Sequence, residues 1–575
     1  MAEKSYRQLS TPDGTTPLSE KPIEETNDAS KDAPDNHEYP GALSLVAIMT
    51  ALYLAIFLVA LDRTIIATAI PRITDDFHAL NDIAWYGSAY LLTSCSFQLL
   101  YGRIYTFYSP KWVFLAAIIL FEVGSAICGA AQTSTAFIVG RAIAGLGSCG
   151  IFSGCIVIIT DAVPLQKRPM YTGLMGSLFG IASVVAPLMG GAFTDKVTWR
   201  WCFYINLPIG GVTILVIIFI LKASPPPNPS PANTWKERLH QLDPFGTATF
   251  LPGMICLLLA LTWGGETYPW SNGRIIALFV LSGVLLIAFV LIQKWKGETA
   301  SVPPRIAKKR TIMAGFFFTF CLGGSMLVVV YYLPVWFQAI KGASAVKSGI
   351  MNIPLVLSLV LGSIIAGGAV TNLGYFTPFM IAGSVVMSIG AGLLTTFTTT
   401  TGHSKWIGYQ VILGLGIGMG MQQGSVAAQT ILERKDVPTG ASIMMLAQSL
   451  GGSIFLAVAQ TIFTNRLSDH LQSYVQGPDA ANIITSVIAA GATGFRSLPG
   501  LSAENLSAIL NAYNKALMGT FYVCVGLASA SIIGALATEW VSVKKQGDGK
   551  QAAPKEVEEA RELDNLEASK QKESV

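Results

Sequence analysis

The stretch 42-ALSLVAIMTALYLAIFLVALD-62 runs for twenty residues without a charge before it meets Asp62. A helix of about 20 apolar residues crosses a hydrocarbon core of roughly 30 Å. Lipid offers the backbone no hydrogen bonds, so a run of this kind has to be helical. Outward from it the pattern recurs, at 84–103, 111–131, 136–160, 171–193, 201–222, 244–264, 274–294, 312–334, 347–370, 376–396, 406–429, 440–462 and 516–538, which makes fourteen expected spans. The second, fifth and tenth are the least uniform, being rich in Gly, Ser or Pro.

Composition points the same way. The 575 residues are 52% hydrophobic and 13% charged, against about 25% charged in a soluble protein. A large soluble enzyme and a disordered scaffold are thereby excluded. The net charge of +4 is too small and too scattered for a nucleic-acid partner. An all-α membrane protein is expected, with the lipid bilayer as its surroundings. The polar, net acidic segment 1–41 has no basic region followed by an apolar run, so no cleavable signal is expected. This tail and the Lys/Glu-rich 541–575 are expected to be disordered.

Lys and Arg set the orientation. With the N-terminus inside, the inner loops carry Arg103, Lys111, Lys167, Arg168, Lys222, Lys236, Arg238, Lys294, Lys296, Arg305, Lys308, Lys309, Arg310, Arg434 and Lys435. The outer loops carry fewer, among them Arg63, Arg72, Lys196 and Arg200. Both termini are expected to be cytoplasmic, in the plasma membrane or, as the alternative, the vacuolar membrane. The longest outer loop, about 463–515, holds one glycosylation sequon, Asn505-Leu-Ser507. All eight Cys fall in or beside spans, so no disulfide framework is implied.

An internal repeat is visible. Ile143-Ala-Gly145-Leu-Gly147 matches Ile412-Leu-Gly414-Leu-Gly416, and each span then ends in an acid and a proline, Asp161/Pro164 and Glu433/Pro438. A shift of eight spans suggests a six-helix half over 42–222, a linker with two extra helices over 223–310, and a second six-helix half over 311–540. Parallel repeats of this kind are a transporter architecture. The plainer reading is chance likeness between helices rich in small residues. In the fifth span Gly173, Gly176, Gly180, Ser183, Pro187, Gly190 and Gly191 form a stripe of small residues broken by proline. Small residues let membrane helices approach closely. The stripe fits either static packing or a bend at a moving seam.

Ionisable groups inside a span cost at least about 2.5–3.5 kcal/mol at its centre. Glu122 sits deep in the third span, Arg141 lies in the outer third of the fourth, and Asp62 closes the first. Asp62 and Arg141 are expected at the same depth, where they could pair. The plainer readings are a helix-end acid in interfacial water, an arginine clamped on loop carbonyls, and a glutamic acid in a static hydrogen bond. A carboxyl group held away from water can also take up and release a proton as access changes, and such groups mark proton relays. Gln98, Gln410, Gln422, Gln423, Gln429, Gln448 and Gln460 could line a cavity or bond helix to helix. The sequence has no G-x-x-x-x-G-K-[ST] phosphate loop, no nucleophile elbow and no metal-spaced His or Cys. We therefore expect no enzymatic activity, no cofactor and no metal. Any work has to draw on an ion gradient, or the chain conducts passively.

Four stretches carry a family resemblance. Leu61-Asp62-Arg63-Thr64-Ile65-Ile66-Ala67-Thr68-Ala69-Ile70-Pro71 resembles the pattern l-D-x-T-v-v-n-v-A-l-P of the fourteen-spanner drug:proton antiporter family, within the major facilitator superfamily. Trp199-Arg200-Trp201-Cys202-Phe203-Tyr204-Ile205-Asn206-Leu207-Pro208-Ile209-Gly210 resembles the start of that family's sixth helix. Arg141…Gly145…Gly147 resembles R-x-x-q-G-x-g, and Ala186-Pro187-Leu188-Met189-Gly190-Gly191 resembles G-P-x-x-G-G. Over about 42–540 the wording is most similar to fungal efflux pumps for toxins and secondary metabolites. The loop Gly102-Arg-Ile-Tyr-Thr-Phe-Tyr-Ser-Pro-Lys111 departs from the family. It keeps the Gly and one Lys but has Thr106 for Asp, Phe107 for Arg and Ser109 for Gly, which leaves its charge relay without its acid.

The resemblance implies a monomeric, proton-coupled antiporter exporting small hydrophobic or amphipathic molecules by alternating access. Multidrug resistance and mycotoxin export are the associated roles. It implies proton coupling at Asp62 and Arg141, to which the depth of Glu122 adds a third candidate. It also implies a hinge at Gly180, Pro187, Gly190 and Gly191 and a cytoplasmic gating loop at Gly102, Arg103 and Lys111. The alternatives on the same fold are a facilitated uptake carrier for a small solute or iron chelate and a non-transporting sensor. The short tails weigh against the sensor.

Overall fold

The apolar run at 42–62 folds as a helix but does not stop at Asp62. In the computed structural model, which describes residues 39–79, 82–229, 234–265, 267–475, 480–497 and 501–544, α1 continues from Ala42 to Phe77. At 1.5 Å per residue its 36 residues span about 54 Å. Arg63 and Arg72, expected in an outer loop, are thus helical. The helix can pass through Asp62 because that charge is paired inside the bundle (below).

The chain continues as α2 (Ile83–Ser96), α3 (Gln98–Phe107), α4 (Pro110–Ala130), α5 (Ser134–Ala162), α6 (Arg168–Lys196), α7 (Trp201–Tyr204) and α8 (Asn206–Ile220). The linker holds α9 (Trp235–Gln241), α10 (Pro244–Trp263), α11 (Gly273–Lys296) and α12 (Pro304–Ala307). Then come α13 (Arg310–Lys341), α14 (Ala345–Met351), α15 (Ile353–Leu373), α16 (Thr377–Leu394), α17 (His403–Met421), α18 (Gln423–Ile431), α19 (Val437–Tyr474), α20 (Ala480–Gly494) and α21 (Ala503–Ala537). The described residues hold no β-strand, only two isolated bridges.

Among the described residues, thirteen helical stretches are long and apolar enough to cross a membrane, some of them made of two consecutive helices. The remaining expected span, 84–103, is broken at Phe97 into α2 and α3, carries Gln98 and several Ser and Thr, and is not among the thirteen. The expected outer loop 463–515 is largely helical instead. It is made of the end of α19, α20 and the start of α21, and it is anchored by the buried Val487 and Phe495. Most of both expected tails lies outside the described residues.

Two six-span halves repeat one packing scheme. In the first, α4 packs on α5, α2 on α5, and α1 on α6 and α8; in the second, α16 packs on α17, α15 on α17, and α13 on α19 and α21. The halves meet along two seams, α6 on α15 and α3 on α19. The extra helix α10 leans on α2 and α19 beside the second seam, and α11 packs on α10. The eight cysteines are free and buried.

Candidate functional site

Asp62 and Arg141 are brought together. The Arg141 guanidinium donates from Nη1 to Asp62 Oδ2 at 2.6 Å and from Nε to the Tyr86 carbonyl at 3.0 Å. It also lies 4.5 Å above the Tyr90 ring. Both side chains are sealed from solvent, with 1% and 0% exposure. A buried pair is costly to assemble and costlier to break from one side. The second oxygen, Asp62 Oδ1, has no hydrogen-bond partner. A carboxylate with one oxygen paired and the other free keeps a lone pair for a proton.

Glu122 is elsewhere, between α4 and α8. Its carboxyl fills the space a side chain at Gly210 would need, so Gly210 makes room for the acid. Neither of its oxygens has a partner. One turn along α4, Ser125 accepts from Asn206 Nδ2 at 3.0 Å, and Asn206 Oδ1 is itself unpartnered. Sequence reasoning found Glu122 but not this polar pocket. Its one signal was Asn206 and Gly210 in the stretch that begins the sixth span.

The residues expected to bend or gate sit at the seams. A Cβ at Gly173 would meet the Ser363 carbonyl at 2.7 Å, and one at Gly180 would meet Val360 Cγ2 at 2.6 Å, both on α15. Gly190 lies against Ile65 and Thr68 of α1. Gly191 has only Val346 nearby, at 3.9 Å, and Pro187 touches the Gly349 position at 3.6 Å. Pro187 lies inside α6 and cannot donate to the carbonyl four residues back. The α6–α15 seam is therefore tight at one end, where backbones touch, and looser at the other.

Gly102 belongs to the tight end. A Cβ there would meet Ser442 Oγ at 2.6 Å and the Pro438 carbonyl at 3.3 Å across the α3–α19 seam. Arg103 does not reach the other half. It donates to the linker carbonyls of Gln241 (2.7 Å) and Thr299 (3.2 Å). Lys111 holds the Ile218 carbonyl at the end of α8, 2.7 Å away.

Three contacts at this same end were not foreseen. Arg434 Nη2 pairs with Asp161 Oδ1 at 2.7 Å, joining the halves. Arg305 of the linker pairs with Asp436 at 2.5 Å. Asp243 caps α10 and binds Gln293, Ser301 and the Lys296 ammonium (3.1 Å). Burial alone would raise the Asp243 carboxyl, but Gln293, the Gly246 and Ser301 amides and Lys296 outweigh it and hold it at about 2. Asp161 is the acid read beside Pro164, whereas the acid read with Pro438 was Glu433, which pairs with Lys435; the contact to the linker is made by Asp436 instead.

Three of the glutamines bond helix to helix. Gln98 donates to Ser153 (2.7 Å), Gln410 to the Met351 and Trp406 carbonyls, and Gln460 accepts from Tyr332 (2.6 Å). Gln422, Gln423 and Gln429 keep unpartnered buried oxygens. Asn505 lies in the first turn of α21, half-buried, its amide donating to Ser502 Oγ.

The sequence profile of the Major Facilitator Superfamily matches residues 52–456. The chain belongs to the major facilitator superfamily. It is a multi-pass membrane transporter, not an enzyme. It is 57% identical to the MFS-type efflux pump MFS1 of Arthroderma benhamiae, over 87% of this chain and 92% of the pump. It is 53% identical to the rubrofusarin-specific efflux pump aurT of Gibberella zeae, over 89% and 92%. It is 51% identical to the efflux pump aflT of Aspergillus parasiticus, over 89% and 99%. Among solved structures, the proton:xylose symporter XylE superposes with a TM-score of 0.51 at 15% identity, over 84% of this chain and 95% of that one. A bacterial homologue of the lysosomal transporter Spinster superposes with 0.51 at 16%, over 87% and 98%. These two bear on the fold alone.

Proposed function

We propose that the protein is a proton-coupled exporter of small hydrophobic or amphipathic compounds, of the kind named for its relatives as secondary metabolites and toxins. It would work as a monomer in the plasma membrane with both termini in the cytoplasm. The observation that carries this reading is the Asp62–Arg141 pair, sealed in the first half with Asp62 Oδ1 free. Protonation of Asp62 would cancel its charge and loosen its hold on Arg141. A change of charge at the joint between α1 and α5 then biases how that half sits against the other, and alternating access needs a two-state bias of this kind.

The cytoplasmic end would be the end now clamped by Gly102 on Ser442, Gly173 on Ser363 and Asp161 on Arg434. This is the arrangement of a carrier closed to the cytoplasm. Gly180, Pro187, Gly190 and Gly191 would be the flexible stretch of the α6 seam, and the gate would run through Gly102. Arg103 and Lys111 would tie that gate to the linker and to α8. Glu122 would be a second proton site in the α4–α8 groove, and Asn505 a glycosylation site on the outer face. The test uses inside-out vesicles from cells expressing the protein, acidified inside. They should concentrate a fluorescent amphipathic dye, lose it when a protonophore is added, and do neither with Asp62→Asn. Dye accumulation in intact cells rather than vesicles would assign the opposite direction. Accumulation indifferent to the protonophore would remove proton coupling.

A further inference from the structure

We propose that Arg63 is the recognition group for an organic anion, so that the exporter's cargo class includes aromatic molecules bearing a carboxylate or an ionised acidic phenol. The inference rests on the exporter reading above and narrows it. Arg63 follows Asp62 directly and lies within the candidate membrane span Ala42–Ile66. Its guanidinium carbon is 5.9 Å from the centre of the Tyr90 ring. Tyr90 lies seven residues into α2, which begins at Ile83, or about 10 Å along it at 1.5 Å per residue. Arg63 therefore lies in the last turn of its candidate span, beside a ring about 10 Å along α2.

No anion answers it. Among the described residues no carboxylate lies within ion-pair distance of Arg63. Among the helices packed on α1, neither α2, α7 nor α8 contains an acid, and Asp161 of α5 is paired with Arg434. Asp62 is already committed to Arg141 at 2.6 Å, so the cluster keeps one net positive charge. Arg63 is also half-buried, whereas Arg141 is sealed. Part of its surface remains open to a visitor. The helix α2, which carries Tyr90, also packs on α19 of the second half, where the two halves meet. That is where an alternating-access carrier holds its cargo. A guanidinium presents a planar fork of donors that matches a carboxylate in a bidentate way and also stacks on aromatic rings. Beside it the Tyr90 face offers a flat apolar wall for an aromatic body.

The test uses the full-length protein in proteoliposomes with two probes of one shape, 9-anthracenecarboxylate and 9-anthracenecarboxamide. The wild type should bind the acid at least tenfold more tightly than the amide at neutral pH. Arg63→Gln should bring the acid to within twofold of the amide, and Arg63→Lys should fall between, because an ammonium keeps the charge but loses the fork. If Arg63→Gln does not fold, the wild type and Arg63→Lys decide in the same sense. Equal binding of the two probes by the wild type overturns the proposal, as does failure to bind either. An acid preference that survives Arg63→Gln, or equal loss of both probes in that variant, overturns it too. Acid preference lost in Arg63→Gln without any pH-driven flux in the wild type would sink the exporter reading and leave the anion site standing. PH-driven flux with no dependence of the preference on Arg63 would do the reverse.

Discussion

A Cβ at Gly145 would run into the Tyr90 carbonyl and the Thr93 hydroxyl; one at Gly414 would run into the Leu355 carbonyl and the Ser358 hydroxyl. Gly147 lies against the backbone of Phe121, and Gly416 against that of Met387. Gly124 meets Ala144, and Gly390 meets Leu413. The same three glycine contacts thus hold the fourth span of each half against its second and third spans. On this shared frame the charges differ. The position of Arg141, four before Gly145, is held in the second half by Gln410, four before Gly414. The position of Glu122, one after Phe121, is held by Ser388, one after Met387. Gln410 and Ser388 only bond carbonyls nearby, those of Met351, Trp406 and Ser384. The glycine frame builds both halves, and the ionisable groups that could carry a proton are concentrated in the first.

The comparison can be broken at several points. Arg141→Gln should be the most damaging to stability, because it strands a buried Asp62 charge. The expected cost is about 3–5 kcal/mol, largely restored in the double variant Asp62→Asn/Arg141→Gln. Gln410→Ala should cost far less. Thermal unfolding in detergent reads both, and additive effects in the Asp62/Arg141 cycle would contradict the pair. Gly145→Ala and Gly414→Ala should be similar to each other, at about 3 kcal/mol, the upper end for overpacking. A large difference between them would mean that the halves do not share the frame.

The linker supplies a control outside both halves. Asp243 is held at about 2 in the folded protein, against an unfolded value near 3.9. Its stabilisation should be full above about pH 4 and vanish as the pH falls toward 2. Asp243→Asn should therefore cost about 2 kcal/mol at pH 7 and much less at pH 2, seen as converging melting temperatures. The smallest effect belongs to Asp161→Asn. This partly exposed pair is worth at most about 1 kcal/mol, so spin-label distances across the clamped end should show the open population rising no more than about fivefold.

The spans were legible because each is a long apolar run with at most two charges, whatever its partners. Where α1 ends was not. Asp62 and Arg63 look like a span boundary, and only Arg141, 79 residues away, lets the helix carry a carboxylate through. The break at Phe97 carries no Gly or Pro to announce it. The helices inside 463–515 were hidden for another reason, since α20 is held by packing on α13 and α19 rather than by an apolar run long enough to cross. At the site, opposite charges at one depth sufficed to suggest Asp62 with Arg141. The pocket around Glu122 and the Asp161–Arg434 contact depend on which helices become neighbours, and no local pattern carries that. Arg63 was misread with the loop it was assigned to.

The central claim is that Asp62 carries the coupling proton. In proteoliposomes loaded with a transported dye, the wild type should move dye uphill when a pH step is imposed and should also exchange labelled for unlabelled dye with no step. Asp62→Asn should keep the exchange and lose the uphill movement by about a hundredfold, the equivalent of about 2.7 kcal/mol of transition-state or coupling energy. Uphill movement by Asp62→Asn at the wild-type rate would contradict the account.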